Sequence, residues 1–405
     1  MSKNLVIPIG PQHPSLKEPA CFTITLEGEK VIEADIGIGY NHRGIEKSCE
    51  NRNYYQALYI LERVCGICSH SHSTCYLSGV EKLAGVEIPR RAAFIRTIFG
   101  ELERLHSHLL WLGVAGHEIG FDTLFMYTWR DREAVLDILA MLCGNRVNYG
   151  INTLGGVRRD LEPQHLDDIR RMCAKLEERN NYYVNLALSD ATLAARLSGV
   201  GMLSKEDALK YGAVGPVLRA SGVKSDTRRN DPYLIYPEIP FEVITYDSCD
   251  VFGRVVVRVL EINESIKIIR YCLDNMPDGD IIAKMPRKIP AGEVVSRYEA
   301  PRGEDVHFIK ANGTDIPERV KVRAPSEANW HSMAHMLKGD YLADTPIIIA
   351  AIDPCYSCTD RAITLNGNAG SKITDWESIR KHGIEFYRNK GIDVSRILLP
   401  EKINY

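Results

Sequence analysis

The sequence predicts a mainly α-helical protein: a bundle core of long helices, with small β-sheet elements near the N-terminus and before a cysteine motif close to the C-terminus. Three observations predict it. Four long segments carry apolar residues at helical spacing. Near the N-terminus residues 21–26 instead alternate apolar and polar positions, as strands do, with residues 31–38 as their partner. Beyond Pro286 short alternating runs return around turn-forming residues.

In chain order, residues 21–26 alternate and are rich in β-formers. Residues 27–30 (Glu-Gly-Glu-Lys) make a turn, and residues 31–38 return as the partner strand. From Asn53 the period becomes helical. Within residues 91–112, Phe94, Ile95, Ile98, Leu102, Leu105 and Leu109 fall on one stripe. Residues 124–142, 164–188 and 252–275 share that period, and consecutive long helices imply a bundle. Residues 219–240, rich in Pro, Asp, Arg and Tyr, read as a long irregular loop, with Arg228–Arg229–Asn230 as a solvated basic run. Residues 294–298 and 306–310 read as short strands around the turn Pro301–Arg302–Gly303. A helix is expected over 328–338. The apolar run 346–352, a strand or a helix start, leads into the last cysteine pair, and a polar helix over 375–389 closes the chain. The expected organisation is a β-rich segment (1–52), a helical core (53–361) and a tail (362–405).

With 405 residues the chain can bury a large core, and its 45% apolar and 25% charged residues are those of an ordinary globular protein. A net charge of −3 gives no electrostatic case for nucleic acid. The longest apolar run, 347–352, is far too short to span a bilayer. The start is cut by Pro8 and Pro11 and does not read as a signal peptide. The expectation is a cytoplasmic protein whose membrane attachment comes through partners. In that compartment the 11 cysteines are not disulfide material. Seven of them (Cys21, Cys49, Cys75, Cys143, Cys173, Cys249 and Cys272) stand singly and read as buried apolar residues or inert thiols.

The other four form two CxxC pairs, Cys65/Cys68 in Glu-Arg-Val-Cys-Gly-Ile-Cys-Ser and Cys355/Cys358 in Asp-Pro-Cys-Tyr-Ser-Cys-Thr-Asp-Arg. Such spacing lets two thiolates converge on a metal from one turn, and two loops surround it with four sulfurs. Soft thiolates select zinc, nickel, copper(I) or iron. A structural zinc site is the commonest use of paired CxxC motifs. Zinc knuckles, however, lie close together in small loop-rich domains, and here most of the chain separates the pairs. A dithiol switch needs only one pair. Spacing alone leaves zinc and a redox metal level.

The flanking residues break the tie by resemblance. The sequence from Arg63 to His72 and that from Asp353 to Arg361 resemble the two signature motifs of nickel–iron hydrogenase large subunits. Gly10–Pro11–Gln12–His13–Pro14, the run from Tyr40 to Lys47, Val80–Glu81–Lys82–Leu83 and Gly155–Gly156–Val157 resemble the quinone-side subunit of respiratory complex I. Together these point to the membrane-associated, energy-converting (group 4) branch of hydrogenases. The resemblance implies a NiFe centre: Cys65 and Cys355 as terminal nickel ligands, Cys68 and Cys358 bridging to an iron that also carries CO and cyanide. It further implies a small subunit with a 4Fe–4S cluster, ferredoxin-like hydrophilic subunits and an ion-translocating membrane arm, with the complex on the cytoplasmic side of the membrane.

Four more residues gain a role from that resemblance, each with a plainer alternative, and a fifth, Asp353, gains one from its Asp-Pro turn. Arg302, in Glu-Ala-Pro-Arg-Gly-Glu, would hang a guanidinium over the open metal position; the alternative is a surface turn. Glu18 would relay protons from a terminal cysteine, against an exposed loop carboxylate. His72 would donate a hydrogen bond to a bridging sulfur, against a satisfied core histidine. Glu46 would help hold a magnesium or iron ion, against a salt bridge to Arg43 or Lys47. Asp353 would orient the second loop by accepting backbone N–H bonds. One departure stands out. Related precursors are cut three residues after the last cysteine, here Arg361–Ala362, often behind a metal-binding histidine, and a guanidinium cannot replace that ligand. Two rival readings remain: a quinone-reductase subunit that needs no nickel, and a zinc-stabilised scaffold without activity.

Overall fold

The computed structural model describes residues 4–360 and 376–391. The chain forms two compact units, residues 1–361 and 362–405. In the second, a helix spans Trp376–Asn389, where the polar helix was expected; residues 361 and 362, on which the cleavage expectation falls, lie outside the described residues.

In the first unit, β1 (Leu5–Ile9), β2 (Cys21–Glu27) and β3 (Lys30–Gly37) form an antiparallel sheet in that order. In β2 the alternation is complete: Phe22, Ile24 and Leu26 are buried on one face. Two short helices follow, α1 (Ile45–Cys49) and α2 (Tyr54–Glu62). Asn53 and Gln56 cap α2 reciprocally, so the helix starts where the periodicity does.

The core is built on α3 (Ser69–Ala84), α4 (Arg90–Glu118) and α5 (Asp122–Cys143). Helix α4 packs against α5, α3 and a later helix, and is buried nearly all round. The charged residues along its middle, Arg96, Glu101, Glu103 and Arg104, are therefore buried too and must find partners inside. Arg96 does so by a two-pronged pair with Glu81 of α3, at 2.7 and 2.9 Å. A small ladder, β4 (Asn152–Thr153) with β5 (Gly156–Val157), precedes α6 (Pro163–Ser189) and α7 (Ala191–Leu197).

The region read as an irregular loop is more structured than its composition suggests. It follows α8 (Lys205–Lys210), takes in the end of α9 (Gly215–Arg219), and contains α10 (Thr227–Asn230) and a 3-10 turn at Tyr236–Glu238. Nor is its basic run solvated. Arg228 is 2% exposed, paired with Asp226 at 2.7 Å and Glu101 at 2.9 Å. Arg219 is likewise buried between Glu261 and Glu299, 2.7 Å from each. A polar-looking loop here delivers counter-charges to the carboxylates of the core helices.

Helix α11 (Val251–Asn275), capped by the Asp250 side chain, packs on α4 and α6 and completes the bundle. A second antiparallel sheet follows: β6 (Gly292–Ala300), β7 (Gly303–Ala311) and β8 (Pro317–Arg323). Two of its strands were legible; β8, with charged residues at most of its solvent-side positions, was not. The chain ends its first unit through α12 (Pro325–Leu337), α13 (Thr345–Ala351) and α14 (Tyr356–Thr359). Thus the apolar run before the second cysteine pair is a buried helix, with Pro346 in its first turn.

Candidate metal centre

The two CxxC loops meet although most of the chain separates them. Cys65 lies in the turn after α2, and Cys68 caps α3. Cys355 caps α14, and Cys358 sits within it. The Sγ atoms of Cys65 and Cys355 are 3.3 Å apart, those of Cys355 and Cys358 2.9 Å, and those of Cys68 and Cys358 3.7 Å. All four lie within 4.8 Å of one another and are buried.

Each loop is fixed by a carboxylate from another part of the fold. Glu103 of α4 accepts the backbone N–H groups of His70 and Ser71 at 2.6 and 3.0 Å, satisfying the free first turn of α3 behind Cys68. Glu18 does the same for α14, accepting from Tyr356 N–H at 2.6 Å and Ser357 N–H at 3.0 Å, with the Ser357 hydroxyl on its other oxygen at 2.8 Å. Arg43 ties the loops together by donating to the carbonyls of Arg63 and Val64, at 3.1 and 2.7 Å, and to that of Ser357 at 3.5 Å. Glu103, Arg43 and their contacts were not read from the sequence. For Glu103 the available signal was a run of charged residues on a helix whose stripe is otherwise core.

Arg302 sits at the tip of the β6–β7 hairpin, and the tip is buried rather than on the surface. Two glycines allow this. The backbones of Gly215 (φ +67°) and Gly303 (φ +127°) are pressed together, and a Cβ on Gly215 would stand 2.3 Å from the Arg302 carbonyl oxygen. Arg104 of α4 holds the strand end by donating to the carbonyls of Glu299 and Ala300, at 2.6 and 3.3 Å. From there the Arg302 guanidinium reaches Asp353, donating from Nε to its carbonyl at 2.7 Å and from Nη2 to Oδ1 at 2.8 Å.

The expected role of Asp353 is therefore corrected. Its carboxylate takes the guanidinium, not the amides of its own loop. Those amides go to Glu18, and the Cys355 N–H goes to Ser326 Oγ at 3.0 Å. Asp353 has φ +55°, in a region open to Asp at some cost, and the Arg302 pair holds it there. His72 stands as expected beside a sulfur: its Nε2 is 3.3 Å from Cys358 Sγ. Glu46 is not brought to the sulfurs. It lies 2.9 Å from Lys321 Nζ and accepts the Val322 N–H, and it belongs to neither metal-capable cluster among the described residues.

The electrostatics call for a cation. Hydrogen bonding from Cys355, Cys358 and Cys68, with the Arg302 charge assisting against burial, holds the Cys65 thiol well below its usual range. Burial and the neighbouring sulfurs push Cys358 well above it. Four sulfurs this close cannot all ionise unless a metal shares their charge. The donor set, soft, buried and convergent, fits nickel and iron.

Beside the sulfurs lies a cavity of about 410 Å³, mostly apolar. Cys65, Cys355, Arg302, Asp353 and Glu18 line it, together with Trp111, Phe125 and Trp129. The structure thus brings Glu18, Arg302, Asp353 and two of the cysteines to one chamber.

Fold and centre together define a mainly helical chain with four convergent, buried cysteine sulfurs at its heart. The family model for the respiratory-chain NADH dehydrogenase 49 kDa subunit matches residues 118–288 and 282–361, and that for nickel-dependent hydrogenases matches residues 43–113. The membrane-bound hydrogenase subunit alpha of Pyrococcus furiosus is 44% identical over 92% of this chain and 91% of its own length. Formate hydrogenlyase subunit 5 of Escherichia coli is 39% identical over 95% of this chain and 68% of its own. An NADH-quinone oxidoreductase subunit of Dehalococcoides mccartyi is 37% identical over 89% of this chain and 99% of its own. A solved chain of the membrane-bound sulfane sulfur reductase, an archaeal respiratory membrane complex, superposes with a TM-score of 0.85 at 32% identity, covering 88% of this chain and 98% of that one. The chain belongs to the family of complex I 49 kDa subunits and hydrogenase large subunits. Its relatives are subunits of membrane-bound oxidoreductase complexes, and none of its described helices is long and apolar enough to cross a membrane.

Proposed function

We propose that this chain is the catalytic subunit of a nickel–iron hydrogenase, interconverting H2 with two protons and two electrons. The observation that carries this reading is the convergence of four buried cysteine sulfurs, two of which, Cys65 and Cys355, line a cavity together with a guanidinium and a carboxylate. Cys65, Cys68, Cys355 and Cys358 would hold nickel and iron, with CO and cyanide as further iron ligands. When bound, such a centre supplies low-potential redox chemistry and a place for hydrogen to be split.

The chain's own groups do the rest. Arg302 presents a fixed positive charge at the chamber wall, its aim locked by Asp353. Glu18, on the same wall, holds a proton arriving from or leaving toward the sulfurs, and keeps the second loop in place meanwhile. His72 donates to Cys358 and lowers the electron density on that sulfur. Trp111, Phe125 and Trp129 make the approach apolar, which suits H2 and excludes bulk water.

Electrons would pass to an iron–sulfur small subunit, since beyond the four site cysteines no set with cluster spacing remains in the sequence. Ferredoxin-like subunits and an ion-translocating membrane arm would complete a complex docked on the cytoplasmic face of the membrane. The second reading, a quinone-reductase subunit, is favoured by one observation: the chamber, at about 410 Å³, is far larger than H2 requires.

Infrared spectroscopy with elemental analysis on protein purified without air separates the two. Sharp bands in the CO and cyanide stretching region with one nickel per chain are expected, and their loss in Cys355→Ser. A fully active Cys355→Ser protein would overturn the assignment. Quinone reduction by a nickel-free chain would move it to the second reading.

A further inference from the structure

A second cluster lies behind the sulfurs. His72 is in the first turn of α3, and Asp305 and His307 are two residues apart on β7, so their side chains share one face of the strand. His72 Nδ1 is 3.0 Å from Asp305 Oδ2 and 3.1 Å from His307 Nε2, and His307 Nε2 is 3.2 Å from Asp305 Oδ2. The three atoms make a nearly equilateral triangle. All three side chains are enclosed, at no more than 1% exposure.

Hydrogen bonding accounts for only one side of the triangle, the contact between His72 Nδ1 and His307 Nε2. The two imidazole nitrogens stand against Asp305 Oδ2 as close polar contacts, but neither carboxylate oxygen has a well-formed hydrogen bond, and His307 Nδ1 also lacks a partner. An enclosed carboxylate without donors requires a positive charge against it. Metal–ligand bonds of about 2.0–2.1 Å place ligand atoms about 2.9–3.4 Å apart, which is the spacing seen.

We propose that His72, Asp305 and His307 form a second metal site, taking one divalent transition-metal ion. Two imidazole nitrogens and one carboxylate suit zinc or ferrous iron, whereas magnesium and calcium prefer oxygen donors throughout. The ion would also settle which ring nitrogen of His72 carries its proton. With Nδ1 on the metal, a neutral ring keeps its proton on Nε2, which is the nitrogen facing Cys358 at 3.3 Å. This site does not depend on which metal the four sulfurs hold.

The test is metal content of the full-length chain in its complex, purified without chelator, as wild type, Asp305→Asn and His307→Gln. The wild type is expected to carry one zinc or iron per chain beyond the metal bound by sulfur, and both variants to lose it while the sulfur-bound metal stays. X-ray absorption on the wild type decides independently of how the variants fold: the extra ion should show a shell of nitrogen and oxygen at about 2.0–2.1 Å with no sulfur. No extra ion in the wild type, a sulfur shell around it, or its retention in both variants would overturn the site. Nickel is counted separately, so failure here and failure of the hydrogenase reading give different results.

Discussion

Arg302 grips Asp353 through both its backbone carbonyl and its side chain, so a hairpin tip holds the residue two places before Cys355. A lysine in that place keeps the charge but cannot make both bonds at once. Arg302→Lys is expected to retain the fold and lose about 10²–10³-fold in hydrogen turnover. Gas-uptake kinetics alongside thermal melting check this, and an unimpaired turnover would reduce Arg302 to a structural pin.

Glu18 caps α14 and faces the chamber, and the two roles separate by substitution. A glutamine oxygen still accepts the Tyr356 and Ser357 amides, but the amide cannot carry a proton at working pH. Glu18→Gln should leave metal content intact and slow turnover by about 10²–10⁴-fold. If turnover instead falls only in step with metal content, Glu18 serves the loop alone.

Burial raises the Glu103 carboxyl to about 8, more than the Ser71 and His70 hydrogen bonds lower it. Its value in the unfolded chain is 4.5. Between these values the folded state holds a proton that the unfolded state has released. The stabilisation is therefore complete below about pH 4.5 and is lost as pH rises toward 8. Denaturant titrations of Glu103→Gln across this window should show a flatter pH dependence than wild type. An identical slope in the two proteins would mean that other groups set it.

Gly215→Ala adds a methyl group 2.3 Å from the Arg302 carbonyl oxygen at a left-handed backbone position. The expected cost is about 1–3 kcal/mol or more in stability, with activity falling further because the hairpin tip must retreat. Melting temperature and turnover of the same preparation check both. Gly28→Ala, at a positive φ with open space around it, provides the control for conformation alone.

What could be read beforehand divides along physical lines. The four long helices and the paired strands follow a repeat that the chain states locally, and each lies within a few residues of its expected place. The cysteine pairs are legible for the same reason, since three-residue spacing is local. Arg228 was misread because its partners, Asp226 and Glu101, mean nothing until α4 passes beside residues 226–228. Asp353 was misread because the donor that claims it comes from a hairpin 51 residues away. Glu103 carried no motif, and the motif around Arg43 gave that residue no role; their importance exists only as contacts with loops from elsewhere in the chain.

Glu103 and Arg104 are consecutive on α4, yet one holds the Cys68 loop and the other the hairpin that bears Arg302. The first cysteine loop and the hairpin of Arg302 thus share one carrier. A push along the axis of α4, from whatever docks against this subunit, displaces both by the same amount and cancels in their separation. A force that twists the helix or pries the hairpin from it would change that separation, so the spacing between this loop and the guanidinium is sensitive to torsion and insensitive to axial load.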